Sequence, residues 1–375
     1  MAFSDYDSFK QHFNLTEMDI ENIYQNLKNK TNIAPASSEI VIVLALLYGL
    51  ISLVAVMGNG LVILVVLTKN NMQTLTNIFI ANLACSDVAL GIFVIPFQFQ
   101  TAILQRWVVA EFMCSVAPFV KNLSVNVSVL SLTLIAIDRY MAVLHPLHAG
   151  FRKTVAIVVL LIIWLISTLS AVPYALFHTI ESMFRLKNLP ERKMCVVKWP
   201  SENFRTLYGA YLILLQYVVP LSIITFSYIR ITCRVWGNAL PGNETCLPRG
   251  RARNNNRKKV VKMLIIVVCL FAFCWLPVQI YNLLLVVYKD KVNKFEYINI
   301  IWLCSNWLAM SNACYNPFIY GLLNEKFKKE FKNLFTTCAC CCKQYRKNSI
   351  GQRSCYTEMA IRGNSSRSLR TFSKT

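Results

Sequence analysis

Two carboxylates, Asp87 and Asp138, sit well inside long apolar runs, and Arg139 follows the second directly. An ionisable group in such a setting is costly unless it is paired or hydrated, so it marks function more often than packing. Other polar groups recur at depth: Asn59, Ser128, Trp164, Asn312 and Asn316. Taken singly, each reads as glue between membrane helices. Bond-making chemistry finds little support in the chain. Nucleophile–base–acid sets are absent. The four histidines (His12, His145, His148, His178) have no metal-like spacing within a span. Cys338, Cys340, Cys341 and Cys342 are too crowded to surround one ion, and no histidine lies beside them. Next to basic residues at a membrane edge they suggest reversible S-palmitoylation. What remains is chemistry of ion pairing and hydrogen bonding, suited to changing shape.

The elements that position these groups are apolar runs long enough to cross a bilayer, for which about 20 helical residues suffice. The chain has 375 residues, of which 55% are hydrophobic. Its mean hydropathy is +0.45. Seven runs are expected near 40–67, 76–100, 112–138, 154–177, 207–233, 260–287 and 297–321. Several hold proline at depth (Pro96, Pro173, Pro220, Pro277, Pro317), which membrane helices tolerate because neighbours re-satisfy the freed backbone groups. No internal repeat or polar pore stripe points to a transporter or channel.

The net charge of +21 is unevenly spread, which argues against nucleic acid as a partner. Arg230–Lys262 holds nine basic residues against Glu244, and the segment after the seventh run holds twelve against three acids. Residues 1–38 hold three basic residues against five acids. This places the N-terminus outside and the C-terminus inside a membrane. No secretory signal peptide is visible, so the first span is expected to serve as an uncleaved anchor. The connection 178–206 is external yet carries six basic residues, and reads either as a solvated loop or as a basic lip at an entrance. Gly237–Asn256 reads as a flexible loop.

The expected organisation is therefore an all-α membrane protein. It comprises an extracellular tail (1–39), a seven-transmembrane helix bundle (40–321), a juxtamembrane amphipathic helix (322–336) and a cytoplasmic tail (337–375). Phe327, Phe331 and Phe335 recur at a spacing of four, giving that amphipathic helix one apolar face. Asn14 and Asn29 head glycosylation sequons in the outer tail. The sequons at Asn243 and Asn364 fall on the inner side and are expected to stay unused. The last 30 residues are rich in Ser, Thr and Arg, a disordered composition open to kinases.

The order of these markers resembles the rhodopsin-like (class A) G-protein-coupled receptors over residues 40 to 335. The residues that carry the resemblance are Asn59, Asp87 in Leu83-Ala-Cys-Ser-Asp87, Asp138-Arg139-Tyr140 and Trp164. Pro220, Phe271-Ala-Phe-Cys-Trp275-Leu-Pro277 and Asn316-Pro317-Phe-Ile-Tyr320 complete them. Ile95–Gln100, Gln105–Trp107, Ser124–Ser128, Lys259–Leu264 and Trp307–Asn316 look like neuropeptide receptors, most like the invertebrate leucokinin (myokinin) group. Tachykinin and neuropeptide Y receptors are neighbours, and lipid or nucleotide receptors share the fold.

The resemblance implies a multi-pass plasma-membrane protein without catalytic residues. It implies a Cys114–Cys195 disulfide and a secreted peptide ligand, expected to be C-terminally amidated. Candidate ligand contacts are Gln98, Gln100, Lys121, Gln216, Gln279, Asn282, Trp302 and Asn306. Lys121 stands where amine receptors carry an aspartate, which argues against a monoamine. Asp87, Ser128, Asn312 and Asn316 resemble a sodium site, so an allosteric sodium ion is the one cofactor implied. Asp138, Arg139, Tyr140, Tyr228, Phe271, Trp275, Pro277, Pro317 and Tyr320 resemble the activation switch, with Val129 and Pro220 in its connector. Implied partners are a heterotrimeric G protein, arrestin and receptor kinases at the tail, and membrane lipid. Calcium release is the expected output. Arg257 stands where some members carry a glutamate that restrains the arginine, so modest basal activity is expected.

Overall fold

The computed structural model describes residues 38–98, 107–145, 153–183, 192–237, 248–288 and 298–336. The chain divides into two compact units, Met1–Asn324 and Glu325–Thr375.

The first unit is a bundle of seven long helices: α1 (Ser38–Thr68), α2 (Leu75–Phe93), α3 (Met113–Leu144), α4 (Lys153–Phe177), α5, α6 (Pro248–Val287) and α7 (Ile298–Leu323). Span α5 comes in pieces, Glu202–Ile213 and Val219–Gly237, joined through a π-helical turn at Leu214–Val218. Pro220 accounts for the wide turn. It has no N–H to give the carbonyl of Gln216 and its ring crowds that carbonyl, so the turn ahead expands. Helix starts follow local chemistry. Thr74 caps α2 by accepting from the Asn77 N–H, and Ser201 caps α5 by accepting from the Phe204 N–H at 3.1 Å.

α3 is the axis of the bundle. It contacts α2, α4, α5 and the external hairpin. α1 closes the ring by packing on α2 and α7. Leucines and isoleucines such as Leu46, Leu50, Leu53, Leu161, Leu165 and Leu169 are exposed on the outward faces, where lipid takes the place of water. Among the described residues, six helices are long and apolar enough to cross a membrane by length and composition. α7 is the span that composition alone underrates. Its 26 residues include Ser305, Asn306, Ser311, Asn312 and Asn316, and all five are buried inside the bundle.

Three expectations need correction. α3 does not stop at residue 138 but runs to Leu144. The apolar run ends where the membrane does, whereas Met141–Leu144 are good helix formers and the helix stops only ahead of His145-Pro146. α6 starts at Pro248, so 248–256 is helical rather than loop: proline suits a first helical position and the span beyond supplies the nucleus, which outweighs the poor helix formers Gly250 and Asn254–Asn256. The external connection holds a two-stranded antiparallel hairpin, β1 (His178–Met183) and β2 (Arg192–Val197), in the register His178↔Val197 to Met183↔Arg192.

The second unit is described over 325–336, a helix in which Phe327 is buried and its ring lies 5.8 Å from that of Phe331. Phe335 is exposed, so the aromatic face grades outward along the helix.

Candidate functional site

The polar groups line up along α3 from its outer to its inner end. At the outer end Cys114 is bonded to Cys195, with Cα atoms 5.6 Å apart, and this ties β2 to the top of α3. The Trp107 N–H donates to the Lys193 carbonyl at 2.7 Å, and Trp107, Met113 and Ala117 pack around the bridge. A stack of rings fastens the other side of the hairpin. Trp199 lies within 6 Å of Tyr174, Phe177, Phe204 and Tyr208. The ring of His178 stands 5.5 Å from Tyr174 and its Nδ1 lies 2.8 Å from the Tyr174 carbonyl. The basic lip is largely neutralised where it is described. Lys193 pairs with Glu111 at 2.9 Å, Lys198 with Glu181, and Arg205 with Glu202 at 3.1 Å.

Below the hairpin the candidate ligand residues divide. The Lys121 ammonium donates to Asn306 Oδ1 at 2.6 Å, which links α3 to α7, and Asn306 Nδ2 donates to the Trp302 carbonyl at 2.8 Å. Gln98 lies just past α2, its N–H bonded to the Val94 carbonyl, with its Nε2 buried and without a partner. Gln279 is buried on α6, Trp302 is half-buried on α7, and Asn282 is exposed. Gln216 is engaged elsewhere. Its amide N–H donates to Asn122 Oδ1, Asn122 Nδ2 donates to the Ser170 carbonyl at 3.0 Å, and the Tyr208 hydroxyl donates to the same carbonyl at 2.6 Å. The widened turn of α5 thus presents Gln216 to α3 as a packing contact, and a ligand would have to break that network to reach it. Gln100 lies outside the described residues.

At mid-depth one small cavity is lined by Asp87, Leu90, Ser124, Val125, Ser128, Phe271, Trp275, Ala309, Asn312 and Ala313. It leaves room for about one water-sized guest. Asp87 forms its polar floor, held by Asn316 Nδ2 at 2.9 Å, while Ser128 is bonded to Ser86 at 2.8 Å. Oxygens from Asp87, Ser124, Ser128 and Asn312 suit a small hard cation, so these residues fit the implied sodium ion. Sequence reading treats the ion site and the aromatic switch as separate sets, yet here they share walls. Phe271 and Trp275, with rings 5.9 Å apart and nearly parallel, close the same cavity. Val129 is buried next to Ser128 on α3.

At the inner end Arg139 Nε donates to Asp138 Oδ2 at 3.0 Å, and the two side chains form an ion pair. A third residue completes the set. Arg139 donates to the Thr76 hydroxyl at 2.6 Å, and that hydroxyl in turn donates to Asp138 Oδ2 at 3.3 Å. Tyr228 and Tyr320 are buried in α5 and α7, and the Tyr140 ring lies 6.1 Å from Phe226.

Some functional contacts were missed by sequence reading. Thr76 carries no signal of its own, since a threonine in the first turn of a helix is ordinary. The role of Asn59 was legible in kind but not in target. Pro317 frees the carbonyl of Ala313, four residues earlier, and Asn59 Nδ2 takes it at 2.8 Å while also donating to Ala55 at 2.9 Å. A Cβ on Gly58 would lie 2.9 Å from the Pro317 ring, so the close approach of α1 requires glycine there. Trp164 Nε1 donates to Asn82 Oδ1 at 2.8 Å, and Asn82 donates to Ser131 at 2.8 Å, joining α4, α2 and α3. Asn14, Asn29 and Cys338, Cys340, Cys341 and Cys342 lie outside the described residues.

Residues 58–320 match the model of the 7 transmembrane receptor (rhodopsin family). The substance-P receptor of Mus musculus is 36% identical over 301 residues, covering 80% of this chain and 72% of that protein. The neuromedin-K receptor of Oryctolagus cuniculus is 37% identical over 297 residues, 78% of this chain and 61% of that one. Its Homo sapiens counterpart is likewise 37% identical, over 62% of its length. A seven-helix bundle, a bridged external hairpin and an acid–arginine pair on the axial helix agree with these matches, and the chain belongs to the rhodopsin family of seven-transmembrane receptors.

Proposed function

We propose that this receptor is activated by a secreted peptide of tachykinin type and acts through G proteins to raise intracellular calcium. The observation that carries the reading is the set of three polar stations spaced along α3. It runs from the Lys121–Asn306 link, through the Asp87 cavity walled by Phe271 and Trp275, to Asp138, Arg139 and Thr76. The similarity to proteins named as substance-P and neuromedin-K receptors favours the tachykinin type over the leucokinin type. A peptide entering beside the hairpin would meet Lys121, Asn306, Gln98, Gln279 and Trp302, a set of amides and an aromatic ring that suits an amidated C-terminus.

Activation is a shift between two packings, and a ligand drives it only by binding them unequally. The peptide pulls on α3, α6 and α7 at the outer end. Phe271 and Trp275 repack, and α6 swings about Pro277. Arg139 then leaves Asp138 for Tyr228 and the G protein, with Tyr320 completing the active network. Asp87, Ser124, Ser128 and Asn312 would hold the ion, with Asn316 steadying Asp87, and the ion would supply positive charge to Asp87 in the resting packing. Arrestin and receptor kinases would act on the Ser- and Thr-rich tail, and the tail cysteines would carry lipid.

A leucokinin-like amidated peptide is the second reading, supported by the sequence stretches Ile95–Gln100 and Trp307–Asn316. Calcium mobilisation in transfected cells, with substance P, neuromedin K and leucokinin-type peptides side by side, separates the two. Responses to tachykinin-type peptides at the lowest concentrations are expected. A response to leucokinin-type peptides alone exchanges the two readings, and a response only to lipids or nucleotides overturns both.

A further inference from the structure

Near the outer end of the bundle several hydrogen-bond donors have no charged acceptor. Lys121 places an ammonium between α3 and α7, and its one described partner is the neutral amide oxygen of Asn306. No carboxylate pairs with it among the described residues. Three described acids of the outer end are taken, Glu111 by Lys193, Glu181 by Lys198 and Glu202 by Arg205, and Glu39 is exposed in the first turn of α1. Two further donors lie buried without an acceptor, Nε2 of Gln98 and Nε1 of Trp307. The fold brings all three to one level. Trp307 and Val120 of α3 each pack against a cluster that holds Val94, the residue just after α2, while Lys121 follows Val120, Asn306 precedes Trp307, and Gln98 stands one turn beyond Val94. Buried donors left without acceptors are rare and costly. A set made up of one cation and two N–H groups from three helices is complementary to an oxyanion.

We propose that this set of donors at the outer end of the bundle recognises a carboxylate side chain, Asp or Glu, of the peptide ligand. Lys121 is its charge partner, and Gln98 and Trp307 donate to its oxygens. The inference rests on the peptide reading above and deepens it. Asn306 acts as the stand-in acceptor while the receptor is empty. Its own Nδ2 is committed to the Trp302 carbonyl, so the amide is held with its oxygen toward the ammonium. A charged acceptor makes a shorter and roughly twice stronger bond than a neutral one, so an arriving carboxylate displaces Asn306 from Lys121. That exchange breaks the α3–α7 link and couples recognition to the packing below. The acid belongs within the peptide, because an amidated C-terminus carries no charge.

The test is a library of amidated peptides of five to ten residues bearing Phe or Trp, each made in matched Glu, Gln and Lys forms. It is read by calcium release and by binding to full-length receptor, with surface expression measured for every variant. The wild-type receptor is expected to prefer Glu over Gln by roughly thirtyfold, the order found when one partner of a buried charge pair is removed. Lys121→Arg is expected to keep the preference and Lys121→Met to abolish it. Lys121→Glu is expected to turn it toward the Lys form, and Gln98→Leu or Trp307→Phe to narrow it severalfold. Equal responses to Glu and Gln forms on the wild-type receptor overturn the proposal and leave the peptide reading standing. A preference that survives in surface-expressed Lys121→Met also overturns it. If no peptide of the library or of the tachykinin and leucokinin panel acts on wild type, the peptide reading falls, and this proposal with it.

Discussion

The pair Asp138–Arg139 shows how much rests on single contacts. The carboxylate is buried and the guanidinium partly exposed, so the pair sits where water can share its cost, and Thr76 binds both partners. Replacing Asp138 with Asn removes the charge and keeps the shape. Agonist-free signalling should rise, since about 1 kcal/mol lost from the resting packing multiplies the active fraction roughly fivefold. Inositol phosphate accumulation without ligand measures this, and an unchanged baseline means the pair does not restrain the resting state. Thr76→Val should raise the baseline by less, because it removes two hydrogen bonds and no charge. Asn126 makes a separate point. It is fully buried on α3 with both amide atoms unpartnered, while Ser167 is equally buried on α4 with an unpartnered hydroxyl. Asn126→Leu should raise the temperature of half-inactivation in detergent, by an amount equivalent to about 1 kcal/mol, because an orphaned amide is exchanged for apolar contact.

At the scale of elements, proline and its compensators decide how the helices meet. Pro317 weakens α7, and Asn59 repairs the weakness from α1 by bonding the freed Ala313 carbonyl. Asn59→Ala should cost about 1–3 kcal/mol, the penalty for a buried polar group without a partner, and thermal inactivation of the purified receptor would reveal it. The hairpin depends in part on His178, whose ring is packed on Tyr174. Burial pushes its pKa below the ordinary 6.5, opposed by the bond to the Tyr174 carbonyl, and the charge of Lys121 pushes it the same way as burial. The folded state therefore prefers the neutral ring, while the unfolded chain takes up a proton near the ordinary value. This stabilisation is present above about pH 6.5 and is lost as pH falls through the lower folded value. Thermal stability should decline between pH 7.5 and 5.5, and His178→Gln should flatten that decline.

For the molecule as a whole, the ion cavity and the aromatic switch form one compartment, so a guest at Asp87 and the packing of Trp275 are thermodynamically linked. Exchanging sodium for choline in the medium should raise agonist affinity roughly fivefold or more, within the usual range of allosteric coupling, and Asp87→Asn should erase the difference. Equal affinities in both media for the wild-type receptor would remove the ion from the mechanism. Much of the architecture was legible without coordinates. Apolar runs of bilayer length fix helices because nothing else satisfies the backbone in lipid, the basic segments orient them, and the markers from Asn59 to Tyr320 name the family. The inner end of α3, the helical start of α6 and the hairpin were not legible, since hydropathy reports the membrane boundary and not where a helix stops. Partnership was beyond reach altogether. That Lys121 meets Asn306, that Gln216 is spent on Asn122, that Thr76 joins Arg139, and that Phe271 and Trp275 wall the cavity of Asp87 depend on how distant helices rotate and cross. Residue type and spacing determine which groups must be buried, because burial depends on each helix's own periodicity. Tertiary structure decides what each one touches, because that depends on faces brought together from hundreds of residues apart.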